Sequence, residues 1–285
     1  MLVSFGYRPR GSLIEKLDPR ARWIFSLLTL FSITSFWDAR FLAFFFVLTL
    51  GQYALSRLTW KETSRAWLMI FFLMGMMILI NTLLTSGGTI AGVITGGRPV
   101  FQLDGTIPLV NWPISFSLTL ERLWFALCQV LRILSISLLF VLIPFTMDPH
   151  AYGSTFKGMG FPDKLAFSMD LAFRFVPTLG RDFSTTLDAQ RARGYEVEKA
   201  EGGIFTQIRK MAPLIVPVTM NAILSGEDIV NAMDLRCFGL RARTWINNLR
   251  YQWYDWLYMG LGVILLAGSV ILKVVFNIGG FWMPF

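Results

Sequence analysis

Five stretches of the chain, residues 23–36, 41–55, 66–84, 125–145 and 256–276, are apolar with almost no charge, and each predicts a membrane-spanning helix. The first two fall short of the roughly 20 residues that a helix needs to cross the hydrocarbon, so they extend into flanking residues or pack as a tilted hairpin. The third contains Phe71-Phe-Leu-Met-Gly-Met-Met77, a small residue among flexible ones, suited to helices that slide or repack. Between the third and fourth spans lies a Gly- and Pro-rich segment, residues 85–113. Its Leu103-Asp-Gly-Thr106 has turn chemistry, and weak alternation around it predicts a short surface hairpin.

Between the fourth and fifth spans the pattern changes to half-apolar. After Asp163, placed as an N-cap, apolar residues recur at Leu165, Met169, Ala172, Phe173, Val176, Leu179, Phe183 and Leu187, which is one face of a helix ending near Arg193. Such a helix is about 45 Å long. Pro177 inside it predicts a kink or break near Phe173. A second helix starts near Phe205 and runs through Met211, Leu214, Val218, Ala222, Ile229 and Met233 to Arg236, with Pro213 and Pro217 in its first half. Gly239 is read as its stop, as Gly194 is for the first. A charged connector, residues 196–203, makes the two an antiparallel or crossed pair. They are too polar to lie in lipid on all sides and too apolar to stand free in water.

A hydrophobic content of 54% with 15% charged residues confirms a polytopic membrane protein and makes the distribution of the +8 net charge a matter of topology rather than nucleic-acid binding. Five basic residues precede the first span, three (Arg57, Lys61, Arg65) follow the second, and thirteen fall between positions 148 and 250, against Arg40 and Arg98 in the opposite loops. The N-terminus and the 148–250 region are therefore expected in the cytoplasm and the C-terminus outside. The basic N-terminus resembles that of a signal peptide, but no small-residue cleavage site follows, so the first span is read as retained. His150, Cys128 and Cys237 are too few for a zinc site, and two free thiols are expected. No metal and no cofactor are expected. Arg132, deep in the fourth span, is expected to be paired structurally rather than to serve transport.

Arg193 in Asp188-Ala-Gln-Arg-Ala-Arg-Gly194 and Arg236 in Ala232-Met-Asp-Leu-Arg-Cys-Phe-Gly239 each close one of the half-apolar helices. A Gly C-cap and an Arg facing the negative end of the macrodipole account for either terminus alone. Two such ends on one membrane protein point further, because a guanidinium fork suits a carboxylate on another protein.

These residues resemble the T component of energy-coupling factor transporters, the CbiQ/EcfT family. Leu13-Ile-Glu-Lys-Leu-Asp-Pro-Arg-Ala-Arg22, Phe145-Thr-Met-Asp-Pro149, Phe161-Pro-Asp-Lys164 and Phe173-Arg-Phe-Val-Pro177 are similar to family segments in the same order. The resemblance implies an all-α polytopic membrane protein with about five transmembrane helices and a cytoplasmic coupling domain of long amphipathic helices. Residues 1–145 would form the N-terminal transmembrane region, 146–250 the coupling domain, and 251–285 the last span and tail. It implies that Arg193, flanked by Ala192 and Gly194, and Arg236, flanked by Leu235 and Cys237, dock two ABC-type ATPase subunits. Leu235-Arg236-Cys237 departs from the commoner Ala-Arg-Gly but keeps the arginine, and Glu15 stands where a His often occurs. A small membrane substrate-binding S component is the third implied partner, against Phe167, Met169, Phe173, Met220 and Ile223. The implied role is mechanical and not enzymatic: ATP-driven motion reorients the S component for vitamin or metal-ion uptake across a bacterial or archaeal cell membrane. Consistent with ATP sites on partners, the chain has no G-x-x-x-x-G-K-[ST] loop.

Two other classes compete. A lipid-modifying enzyme needs clustered acids at span ends, whereas Glu227-Asp228 is the only adjacent acidic pair and falls mid-helix. A secondary transporter needs intramembrane charges, for which Arg132 and Lys273 are the candidates, and inverted repeats, which are not visible.

Overall fold

The computed structural model describes residues 7, 9–84, 99–107, 112–195, 204–240 and 249–276. They form, in order, α1 (Pro19–Ser35), α2 (Ala39–Leu55), α3 (Trp60–Leu84), strands β1 (Pro99–Ile107) and β2 (Trp112–Thr119), α4 (Leu120–Thr146), α5 (Tyr152–Gly158), α6 (Asp163–Ala192), α7 (Ile204–Leu235) and α8 (Trp253–Val274). The chain divides into two compact units. Residues 6–147 with 250–285 make one, and Asp148–Leu249 makes the other.

In the first unit α1 is the central helix, packed on α8 and α4, while α2 packs on α4. Its buried stripe mixes aromatic with small residues, Phe25 and Ile33 with Ala21, Ser26, Thr29 and Ser32. Helices in lipid gain little from apolar burial against each other, so close approach of backbones at small residues matters more. Gly262 of α8 shows this: a Cβ there would lie 3.2 Å from both Phe25 and Leu28. Phe25 stacks on Tyr258 with centroids 4.2 Å apart, and Phe36, Leu42, Phe45, Cys128 and Leu139 complete the core.

Helix starts follow their local chemistry. Asp18 accepts the Arg20 N–H at 2.9 Å with Pro19 in the first turn, and Asp38 accepts the Arg40 N–H at 3.0 Å. The same N-terminal segment ties one end of the bundle together. Asp18 pairs with Arg20 at 2.8 Å, Arg20 lies 3.8 Å from the Tyr251 ring centroid, and the Asp18 N–H donates to Asp255 at 2.8 Å. Arg22 donates to the Thr146 carbonyl at 2.9 Å, and Arg10 reaches Glu62 at 2.7 Å and the Phe145 carbonyl at 3.2 Å. The starts of α1, α3 and α8 and the end of α4 therefore share one level, which is an up-and-down path. Burial pushes the Glu15 carboxyl up, but hydrogen bonds from Tyr7 and from the N–H groups of Arg10, Gly11 and Ser12 outweigh it and hold the group below its ordinary value.

Arg132 donates to the Phe36 carbonyl just beyond α1 and lies 3.9 Å from the Trp37 ring centroid. This is the structural pairing expected of a deep arginine. Cys128 is buried and Cys237 exposed, and neither forms a disulfide.

Four points differ from the sequence reading. Helices long and apolar enough to cross a membrane are Trp60–Ile80, Leu123–Thr146, Met211–Leu235 and Trp253–Val274. They include three of the five expected spans, omit α1 and α2, which stop at 17 residues each, and add part of α7. The α7 window has a mean hydropathy of 1.2 against 2.3 in α4, and α7 carries acids at Glu227, Asp228 and Asp234. The expected hairpin is present, but its turn is elsewhere: Asp104 pairs with Ser115 and Gly105 with Ile114, so Asp-Gly lies within β1. Pairing over two long strands outweighs the local turn preference. Pro177 does not break α6, which is continuous over 30 residues, since one lost hydrogen bond is small beside the turns on both sides. Asp163 is the first helical residue, not the N-cap, and its carboxylate pairs with Lys157 at 2.5 Å. The charged connector at 196–203 and the rest of the 85–113 segment outside the strands lie outside the described residues.

Candidate functional site

In the second unit a short α5 props the base of α6. A Cβ on Gly153 would lie 2.7 Å from the Asp170 Cβ and 2.8 Å from the Ala166 carbonyl, so only glycine permits this approach. Tyr152 stacks on Phe173 with centroids 4.8 Å apart, and Phe156 meets Phe161 edge-on at 5.2 Å. Nearer the start of α6, Phe167 contacts Phe238 at 4.9 Å. The start of α6 thus lies beside the end of α7, as an antiparallel or crossed pair requires. An open cleft of about 670 Å³ lies between them, with Phe167, Asp170 and Arg174 on one wall, Met233 and Arg236 on the other, and His150 at its edge.

The two arginine-bearing ends have the same backbone. At the end of α6 the Gly194 N–H donates to the Arg191 carbonyl at 2.9 Å and the Tyr195 N–H to the Gln190 carbonyl at 3.0 Å. At the end of α7 the Cys237 N–H donates to the Asp234 carbonyl at 2.9 Å and the Phe238 N–H to the Met233 carbonyl at 3.0 Å. Both are Schellman motifs, in which a left-handed residue turns the chain back over the last helical carbonyls. Gly194 has φ +83° and Cys237 has φ +56°. The stop of α7 is therefore Cys237 and not Gly239, which follows with its own φ of +96°. Holding a cysteine in this region costs roughly 1 kcal/mol that glycine avoids.

In each motif the arginine is the C-cap residue, and both Arg193 and Arg236 are exposed, with Ala192, Gly194, Leu235 and Cys237 exposed beside them. The tips are far apart. Arg236 stands beside the 167–174 stretch of α6, whereas Arg193 lies 19 or more residues further along, roughly 30 Å at 1.5 Å per residue. Their surroundings differ too: Arg191 and Asp188, 3.8 Å apart, flank the first, while Leu235 at 87% exposure and Leu240 at 80% flank the second.

Of the five residues expected on an apolar partner surface, Met169, Met220 and Ile223 are exposed, at 38%, 53% and 52%. Phe167 and Phe173 are half-buried against Phe238 and Tyr152. Most of α7 away from α6 is apolar and open, including Val216, Leu224 and Val230. The sequence reading missed the cleft and Phe238. The hydrophobic residue that follows a left-handed cap was the available signal, hidden because the cap is a cysteine.

A match to the CbiQ family, described as cobalt transport protein, covers residues 11–246. The chain is 25% identical over 283 residues to the energy-coupling factor transporter transmembrane protein EcfT of Ruminiclostridium cellulolyticum, covering 95% of this chain and 96% of that one. It is 27% identical to the EcfT of Thermosediminibacter oceani over 94% of this chain and 97% of that one. A putative ABC transporter ATP-binding protein of Bifidobacterium longum is 26% identical over 93% of this chain, but the match occupies only 32% of that longer protein. Helices of membrane-crossing length, two arginine-tipped helices and near full-length similarity converge: the chain belongs to the CbiQ/EcfT family of multi-pass transmembrane components of energy-coupling factor transporters, and it is a transport component rather than an enzyme.

Proposed function

We propose that this chain couples two ABC-type ATPase subunits to a substrate-binding membrane S component in a micronutrient importer, with vitamin or metal ion as cargo. The observation that carries the reading is the pair of matching Schellman ends, which hold Arg193 and Arg236 exposed at opposite ends of the α6–α7 pair. The spacing of the tips gives each ATPase its own arginine. A guanidinium at the apex of a capped helix enters a groove and forms a bidentate pair with a carboxylate. When the ATPases close on ATP, the two helix ends are carried with them, and α6 and α7 convey the motion to the S component through the exposed Met169, Met220 and Ile223. Phe167 and Phe173 stand behind them and keep that surface stiff.

The Bifidobacterium relative supports the ATPase assignment, because there a segment like this chain is part of a protein named for ATP binding. In this reading residues 146–250 are the coupling domain, the N-terminus is cytoplasmic, and α1, α2, α3, α4 and α8 are the spans. The level shared by Arg10, Arg20 and Arg22 then faces the cytoplasm, in accord with the positive-inside rule.

Co-purification from native membranes tests the proposal. Two ABC ATPases and a small membrane protein should accompany the wild-type chain, and the Arg193→Glu, Arg236→Glu double variant should insert normally but lose the ATPases. A double variant that keeps them and supports full uptake overturns the docking role.

A further inference from the structure

A second charged feature lies in the first unit, at the α2–α3 corner. Arg57, Lys61 and Arg65 recur every four residues and are exposed. At 100° per residue Lys61 and Arg65 fall on the same face of α3 as Leu68, Phe72, Met76 and Leu79. That face lies opposite the one that carries buried Thr63 and Trp67. Its apolar part is open to the surroundings: Leu68 is 74% and Phe72 68% exposed. One stripe therefore runs from two cations, Lys61 and Arg65, into an apolar column, with Arg57 in the turn just before α3. Trp60, exposed at the start of α3, is the kind of residue that sits at the membrane–water interface.

Among the described residues no ion pair is formed by these cations. Glu62 is the sole Asp or Glu between positions 39 and 103, and its carboxylate is turned inward to Arg10 at 2.7 Å and to the Thr59 hydroxyl at 2.7 Å. Arg57 holds φ +54°, a conformation that glycine would adopt at lower cost, and it follows directly on the C-terminal end of α2. The helix macrodipole explains a cation at that one position. It does not explain Lys61, which lies in the first turn of α3 where the dipole disfavours positive charge, and the positive-inside rule sets the side of these cations but not the alignment of Lys61 and Arg65 with the open apolar face.

We propose that Arg57, Lys61 and Arg65 hold the phosphate of an anionic phospholipid whose acyl chain lies along Leu68, Phe72 and Met76. The occupant is set by the order of the stripe: charge of one sign at interface level, then about three turns of lipid-exposed apolar side chains with no further charge. A soluble anion would use the cations and leave the apolar column without a role. A bound anionic lipid also offsets the unfavourable charge at the start of α3 and keeps that helix, which has few buried residues, upright beside α4.

The test uses the full chain reconstituted in nanodiscs of equal phosphatidylglycerol and phosphatidylcholine, then extracted in mild detergent, with retained lipid counted by mass spectrometry. Wild type should retain phosphatidylglycerol preferentially, and the preference should fall about fivefold for each cation removed, reaching parity in Arg57→Gln, Lys61→Gln, Arg65→Gln. Should that variant fail to fold, Arg57→Lys with Arg65→Lys should keep the preference, and added salt should weaken it in wild type. Equal retention of the two lipids by wild type overturns the proposal. So does release of phosphatidylglycerol by millimolar inorganic phosphate, which would make this a soluble-anion site. A photo-crosslinker at position 68 that captures a protein in native membranes rather than lipid would overturn it as well.

Discussion

The membrane unit and the unit of residues 148–249 use arginine in opposite ways. Arg20 and Arg22 are buried in the first: Arg20 donates to Asp18 and lies over the Tyr251 ring, and Arg22 donates to Thr146. Arg193 and Arg236 in the second are exposed at helix ends whose own carbonyls the backbone has already capped. A buried guanidinium whose hydrogen bonds are made within its own chain holds helices in register and is not presented to another protein. One at a capped tip keeps its fork exposed, as the proposed docking requires. The difference lies in what surrounds the residue, and substitutions in the two units should separate stability from coupling.

The largest effect belongs to the tips. Arg193→Glu with Arg236→Glu should remove about 2–5 kcal/mol of docking energy at each end and abolish uptake. Its detergent melting midpoint should match wild type, because exposed side chains are being changed. A matching loss of melting temperature would show the tips to be structural. The converse change is Asp18→Ala, which leaves Arg20 buried without its carboxylate and should cost about 3–5 kcal/mol, seen as poor extraction or a low melting midpoint. Gly153→Ala should cost roughly 1–3 kcal/mol by forcing α5 off α6, and limited proteolysis near residue 160 would report it.

Smaller effects compare the two tips themselves. Gly194→Val places a β-branched residue at φ +83° and should cost about 1–2 kcal/mol while displacing Arg193, so ATPase retention should fall with stability. Cys237→Gly should do the reverse, raising the melting midpoint by a few degrees for about 1 kcal/mol gained, with uptake unchanged. If Cys237→Gly lowers uptake, the thiol contributes to docking in a way that the shared backbone does not explain.

Much of the fold was legible because its signals are local. Uninterrupted apolar runs located five helices to within a few residues at most ends, and three- and four-residue spacing located α6 and α7. The Arg-Gly end of α6 was readable for the same reason, as a cap lies within six residues of chain. The end of α7 was only half readable. Its arginine was visible, but the left-handed residue is a cysteine, and nothing in a single sequence marks a cysteine at positive φ.

By itself the sequence determined the membrane class, the existence of two arginine-ended helices and the family, since each depends on composition or on order along the chain. Only the tertiary structure decided the partners of Arg10, Arg20, Arg22 and Arg132, the register that absorbs Asp104-Gly105 into a strand, and the meeting of Arg236 with the start of α6. Those depend on residues up to 237 positions apart, as for the Asp18 N–H and Asp255. A hydrogen bond over such a separation leaves no periodic trace, because its partner is selected by the packing of whole helices and not by neighbouring residues.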